Sequence, residues 1–276
     1  MTKQYGILAY PAKHSLSPVM HNAAFKALGI DAEYRIYEIP DYELASFMEN
    51  VKVEPISGLS VSLPYKEVIV NFLNRVDEDA KKIGAVNTVV NSGGALSGYN
   101  TDYSGATEAL KETYGSLEGK KVVIIGAGGS ARAVVYGLLR EGASVWIKNR
   151  TRQKADMLAV EFAELFNAEI HSCDWNDLIS GNILIHSTSL WHERPEEIPS
   201  FCDLDYVNHF DVVMEVAYAP LITPLLKAAE KLGKKTISGD KMLLHQAVGQ
   251  FKLWTGQEAP VEVMREALNT ALGIDS

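Results

Sequence analysis

Cysteine is nearly absent. Cys173 and Cys202 are the only two in 276 residues, and neither stands in a CxxC spacing. That argues against a disulfide framework and for a reducing compartment, so a cytoplasmic protein is expected. The seven histidines are scattered, with no HExxH and no Cys/His ligand spacing, and no metal site is expected. Long apolar runs are also missing: no window approaches the ~20 residues of a membrane span. The first residues, MTKQYGILAYPAKHS, lack the apolar stretch of a signal peptide. Basic excess is lacking too, since a formal net charge of −9 argues against a nucleic-acid surface or an anionic membrane as partner. There is no internal repeat, low-complexity tract or long linker. The chain does have the length for two domains and enough apolar residues for two cores.

The most informative stretch is KKVVIIGAGGSAR, residues 120–132. An apolar run at 122–125 enters a glycine turn, and Val134, Val135, Leu138 and Leu139 then mark a helix. Strand, turn and helix in that order form the phosphate-binding start of a dinucleotide fold. Gly126 permits the tight turn, Gly128 and Gly129 let the backbone approach a pyrophosphate, and Ala131 lets the helix pack close. Ala127, Ser130 and the helix N-terminus supply N–H groups and a partial positive charge. About twenty residues on, a NAD-binding fold has a carboxylate for the ribose 2′-hydroxyl. Here Asn149-Arg150-Thr151-Arg152-Gln-Lys154 follows the strand at 143–148 instead. Arg150 can bond a 2′-phosphate through several N–H groups, so NADP is expected over NAD. The alternative is a basic helix start that simply faces solvent.

The first hundred residues alternate strands and helices, which implies a separate open α/β sheet. Strands are expected at 4–10, 34–39 and 56–63, with a hairpin of 86–90 and 95–99 across Ser92-Gly-Gly. Helices are expected at 18–28, with Ser17 as cap and Gly29 as stop, at 41–50, and from about Pro64. Ser15, Ser17, Ser62, Lys66, Asn87 and Asp102 lie near strand–helix junctions, where α/β sheets place ligands. Each also has a plain reading: Ser17 and Asp102 as caps, Lys66 as a surface lysine, Asn87 as a turn residue. Later strands are expected at 169–172, 183–187, 212–216 and 235–237. Helices are expected at 103–114, at 223–231 capped by Thr223, from Gly239, and at 261–272.

Four blocks in order resemble the shikimate dehydrogenase family: Ser15-Leu-Ser17-Pro18-Val-Met-His21-Asn22, Ser60-Val-Ser62-Leu-Pro64-Tyr-Lys66, Gly84-Ala-Val-Asn87-Thr88 and Asn100-Thr101-Asp102. The likeness spans nearly the whole chain. It implies a substrate-binding α/β domain at 1–102, a Rossmann-type NADP-binding α/β domain at 103–239, and C-terminal helices at 240–276 returning to the first domain, with Gln246 in the cleft. It further implies that Lys66 and Asp102 form the catalytic pair. Ser15 and Ser17 would hold the substrate carboxylate, and Ser62, Asn87 and Gln246 its ring hydroxyls. Tyr218 would also touch substrate, while Thr188, Ser189, Gly239 and Met242 would join the glycine turn around the cofactor. His21 matches the pattern in a structural role. The implied reaction is reversible reduction of 3-dehydroshikimate by NADPH, by a monomer or homodimer.

Some positions leave that pattern. Ser60 stands for an asparagine, Ser62 for a threonine and Glu215 for an aspartate. The loop Asn-Ala-Thr-Ser-x-Gly-Met reads His186-Ser-Thr188-Ser189-Leu-Trp191-His192, and the resemblance puts it near the nicotinamide. These changes leave room for a paralogue acting on quinate or an aminated shikimate analogue. A non-catalytic NADP-binding sensor is a further alternative, opposed by the presence of both Lys66 and Asp102.

Overall fold

The computed structural model describes residues 2–194, 196 and 198–274. Met1, Pro195, Glu197, Asp275, Ser276 and the side chain of His192 lie outside the described set, and with them the ends of the expected 1–102 and 240–276 segments. The chain divides into two compact units, Met1–Thr101 with Gln246–Ser276, and Asp102–His245.

The first unit contains β1 (Lys3–Ala9), α1 (Ser17–Ala27), β2 (Ala32–Glu38), α2 (Leu44–Val53), β3 (Ile56–Val61), β4 (Arg75–Val76), α3 (Glu78–Ile83), β5 (Thr88–Ser92) and β6 (Ala95–Tyr99). They form one six-stranded sheet in the order β2-β1-β3-β5-β6-β4. β1 runs parallel to β2 and β3, whereas β5 is antiparallel to β3 and β6. The β5–β6 turn needs positive φ at both central residues, which Gly93 and Gly94 supply at 64° and 93°. Gly58 is required for a different reason: a Cβ there would lie 2.4 Å from Trp254 Nε1. That indole packs into an aromatic group with Tyr5, His21 and Tyr34 and donates to the Val89 carbonyl.

Three local expectations give way. No α-helix starts near Pro64; the chain makes a turn and then a 3₁₀ turn at Val68–Phe72. Val68, Ile69 and Val70 are consecutive β-branched residues, which lose rotamer freedom in a helix. Ser17 is not the cap of α1 but its first residue, 3% exposed, with Leu16 at the cap position. The helix expected from Asp41 begins with a 3₁₀ turn and becomes α-helical at Leu44.

The second unit contains α4 (Asp102–Tyr114), β7 (Lys121–Ile125), α5 (Gly129–Arg140), β8 (Ser144–Lys148), α6 (Arg152–Phe166), β9 (Ile170–Cys173), β10 (Ile183–His186), α7 (Leu190–Glu193), α8 (Leu204–Val207), β11 (Val212–Glu215), α9 (Pro224–Lys231) and β12 (Lys235–Ile237). Its six strands are all parallel, in the order β12-β11-β10-β7-β8-β9. Strand order reverses between β7 and β10, the switch point at which a doubly wound fold binds nucleotides. β7, β10 and β11 are buried on both faces, as helix-covered parallel strands must be. Thr223 caps α9 by accepting from the Leu226 N–H. Two last helices follow, α10 (Gly239–Thr255) and α11 (Val261–Leu272). The division between the units falls inside α10, whose residues from Gln246 on belong with the first unit. Among the described residues no helix is long and apolar enough to cross a membrane.

Candidate functional site

In the first unit the expected polar residues gather at one end of the sheet. Ser15 and Ser17 follow β1, Ser62 and Lys66 follow β3, Asn87 precedes β5, and Thr101 follows β6. Because β5 runs opposite to β3, its start lies beside the carboxyl end of β3, with Val61 N–H donating to the Asn87 carbonyl at 2.7 Å. The Lys66 carbonyl accepts from Val86 N–H at 2.7 Å, which ties the lysine segment to the residue before Asn87. Lys66 is 9% exposed, so the reading of a solvated surface lysine does not hold. Ser15 Oγ accepts from the Ser17 N–H at 3.3 Å.

Asn87 is 1% exposed, with hydrogen bonds at both its amide nitrogen and its oxygen. Its amide donates to Thr101 Oγ1 at 2.9 Å and toward Gln246 Oε1 at 3.4 Å, while its Oδ1 accepts from Thr88 Oγ1 and the Thr101 N–H. It is therefore not a turn residue but the centre of a buried network. Gln250 donates to the Asn87 carbonyl at 3.1 Å and accepts from Ser60 Oγ, which in turn accepts from the Tyr34 hydroxyl at 2.6 Å. Ser60, a departure from the family pattern, is a relay between a tyrosine and a glutamine. Tyr34 and Gln250 escaped the sequence reading. A signal for Gln250 existed, since it lies one helical turn beyond Gln246. Nothing local marks Tyr34.

His21 stacks on Tyr34, with ring centroids 4.6 Å apart. Neither ring nitrogen has a hydrogen-bond partner among the described residues. Burial pushes its pKa down to about 3; the nearby Gln250 amide opposes this without reaching bonding geometry. The ring is held neutral.

In the second unit the glycine turn follows β7 at the switch point. Gly126 has φ +127°, and a Cβ there would lie 2.6 Å from Ser187 Oγ, so the fold itself demands glycine. Gly128 is different. Its φ of −94° suits any residue, and nothing lies within 4 Å of an added Cβ. The protein leaves open the space beside the N-terminus of α5, where a phosphate would sit. Gly129, Ser130 and Ala131 form the first turn of that helix. After β8, Asn149 donates to the Thr151 carbonyl at 2.9 Å. Thr151 is at the cap position of α6 but makes no capping bond. Arg152 is held by Asp156 and Asp174, whereas Arg150 and Lys154 are exposed. Gly239 opens α10 against the loop after β11, and a Cβ there would meet the Ala217 carbonyl oxygen at 2.4 Å. Tyr218 lies in that loop, half-buried, and Met242 is buried in the first turn of α10. Asp102 opens α4 and is 4% exposed.

In α7, which follows β10, Trp191 does not face an open surface. It is 3% exposed, lies in the core with Phe201 and Val213, and donates to Glu215 at 2.7 Å. Thr188 and Ser189 remain half-buried. Among the described residues no group of three or more His, Cys, Asp or Glu could hold a metal ion.

Three domain families match this chain. The shikimate dehydrogenase substrate binding domain matches residues 7–89, the shikimate / quinate 5-dehydrogenase domain matches 108–194, and the shikimate 5′-dehydrogenase C-terminal domain matches 241–268. The shikimate dehydrogenase (NADP(+)) of Methanopyrus kandleri is 40% identical over 275 residues, covering 97% of this chain and 95% of that one. A solved shikimate dehydrogenase in complex with NADP+ superposes with TM-score 0.92 at 37% identity, over 100% of this chain and 96% of that one. The shikimate 5-dehydrogenase of Thermus thermophilus, solved with NADP(H) and shikimate, gives 0.86 at 33% identity, covering 98% and 100%.

Proposed function

The chain belongs to the shikimate dehydrogenase family, and we propose that it catalyses the reversible, NADPH-dependent reduction of 3-dehydroshikimate to shikimate in aromatic amino-acid biosynthesis. The observation that carries this reading is the end of the first sheet, where Lys66 is buried and its carbonyl is tied to Val86, the residue before the hydrogen-bonded Asn87 network. A sensor without chemistry has no use for a buried lysine there.

Each residue has an assigned role. Ser15 and Ser17 hold the substrate carboxylate, and Ser62, Asn87, Tyr218 and Gln246 bond its hydroxyls. Gly126, Ala127, Gly128, Gly129, Ser130 and Ala131 cradle the pyrophosphate. Asn149, Arg150, Thr151 and Lys154 face the 2′-phosphate, and Thr188, Ser189, Gly239 and Met242 lie along the rest of the dinucleotide. The open space at Gly128 and the exposed Arg150 support that fit. Bound NADPH supplies the hydride. Lys66 supplies the proton that the alkoxide left by hydride transfer needs. Its charge stabilises the developing alkoxide, and Asp102, one peptide bond beyond the anchored Thr101, keeps the ammonium oriented. The paucity of cysteine supports a cytoplasmic site of action, and the protein is assigned as a monomer or homodimer without nucleic-acid or membrane partners.

Steady-state rates with shikimate and quinate, each with NADP+ and NAD+, test the substrate. Highest kcat/KM with shikimate and NADP+ is expected; a preference for quinate would move the protein to the paralogous activity, and no turnover with any pair would leave the sensor. Lys66→Ala should lower kcat by about 10²- to 10⁴-fold while shikimate still binds. Unchanged turnover would remove the proposed proton donor.

A further inference from the structure

Glu215 and His186 are fully buried in the second unit, and neither has a role in the assignment above. They end adjacent parallel strands, β11 and β10, which pair in register at these residues. The Glu215 carboxylate collects three donors. His186 Nδ1 is 2.9 Å from both oxygens, Trp191 Nε1 is 2.7 Å from Oε2, and the Ala217 N–H is 3.1 Å from Oε1. A carboxylate this deep persists only with such a set. On the far side of the imidazole, Nε2 lies 2.6 Å from Thr188 Oγ1, and the Leu190 N–H approaches the same oxygen at 3.3 Å.

This chain of bonds has a direction. With the Glu215 carboxylate as acceptor the ring proton sits on Nδ1, and in that tautomer Nε2 turns a lone pair toward Thr188. The Thr188 hydroxyl then donates to Nε2 and accepts from Leu190, and one lone pair of Oγ1 remains. We infer that Glu215 and His186, with Trp191 as a further donor, are positioning residues that hold the Thr188 hydroxyl as an acceptor for a donor group of the dinucleotide, a ribose hydroxyl or an amide N–H, and not for a phosphate oxygen. His186, Trp191 and Glu215 are also three positions at which the chain leaves the family pattern, and they meet in one hydrogen-bonded group. The inference rests on the dinucleotide reading of the second unit.

The test begins with calorimetric titration of the wild-type protein by NADP+ and NAD+. Failure to bind either removes the dinucleotide reading itself; binding leaves the inference to the variants. Thr188→Val and His186→Gln should each raise both dissociation constants about tenfold, with the NADP+/NAD+ ratio kept and the shikimate KM within about twofold. The double variant should also lose only about tenfold, because both changes remove one contact. Thr188→Ser, which keeps the hydroxyl, should restore affinity. Trp191→Phe keeps a packed ring and removes only its donor, so it serves should His186→Gln fail to fold; a loss of about threefold is expected. Losses that multiply in the double variant, a selective loss of NADP+ over NAD+, or unchanged affinity in Thr188→Val would each overturn the inference.

Discussion

The glycine turn of the second unit and the Asn87 network of the first are candidate sites of opposite construction. The turn is made of backbone: consecutive residues between β7 and α5 complete it, and the distant requirement on it is room for Gly126 beside Ser187. The network is made of side chains from β2, β3, the start of β5, the end of β6 and α10, brought together across the whole first unit. A backbone site fails when one residue takes the wrong conformation or blocks the approach. A side-chain network fails when a partner is left unpaired, and the damage spreads to neighbours in the same unit.

The largest expected effect separates two glycines of the same turn. Gly126→Ala should destabilise the protein by about 1–3 kcal/mol through backbone strain alone, with the Ser187 contact adding to it. Gly128→Ala should leave the melting temperature nearly unchanged and weaken NADP+ by about tenfold. Thermal denaturation beside NADP+ titration checks both, and equal destabilisation by the two would erase the distinction. Next is Gln250→Leu, which strands the Ser60 hydroxyl and removes one bond to Asn87. A stability loss of about 1–2 kcal/mol is expected, with the shikimate KM raised and NADP+ affinity kept. Loss of NADP+ affinity instead would mean that the first unit's network is not a substrate device. Arg150→Ala should weaken NADP+ about tenfold or more while NAD+ is little affected. Equal losses would take the arginine away from the 2′-phosphate.

The smallest effect at neutral pH concerns His21. Its folded-state pKa of about 3 lies below the ordinary 6.5, so the folded protein binds fewer protons than the unfolded chain between those values. The contribution is therefore complete above pH 6.5 and is lost as pH falls toward 3, at up to about 1.4 kcal/mol per pH unit. His21→Phe keeps the stacking on Tyr34 and removes two unpartnered nitrogens. Stability at neutral pH should hold or rise by up to about 1 kcal/mol, and the acid limb should become shallower. Urea titrations at several pH values measure both, and an unaltered acid limb would mean that the ring titrates normally.

Legibility followed the range of the interactions. The helix at 261–272, the Thr223 cap and the Gly93-Gly94 turn depend on residues a few positions apart, and all were readable. The helix expected at Pro64 failed because three β-branched residues outweighed a helix-like junction. Two-residue β4 went unread because its pairing with β6, not its own pattern, makes it a strand. Lys66 and Asn87 were marked by a motif, but their burial was not. Tyr34 and the His186–Glu215 pair stayed invisible, and Gln250 was marked only by its spacing from Gln246, since each acquires its meaning from a partner on another element.

The order of amino acids by itself determined the parallel nucleotide fold, the glycine turn and the family, because these rest on periodicity and on backbone conformations that few residues can adopt. Tertiary structure alone decided that Trp191 faces the core, that Ser60 relays between Tyr34 and Gln250, and that Glu215 orients His186 toward Thr188. The reason is physical. A buried polar group must find its partner wherever the fold brings one, and that distance is not written along the chain.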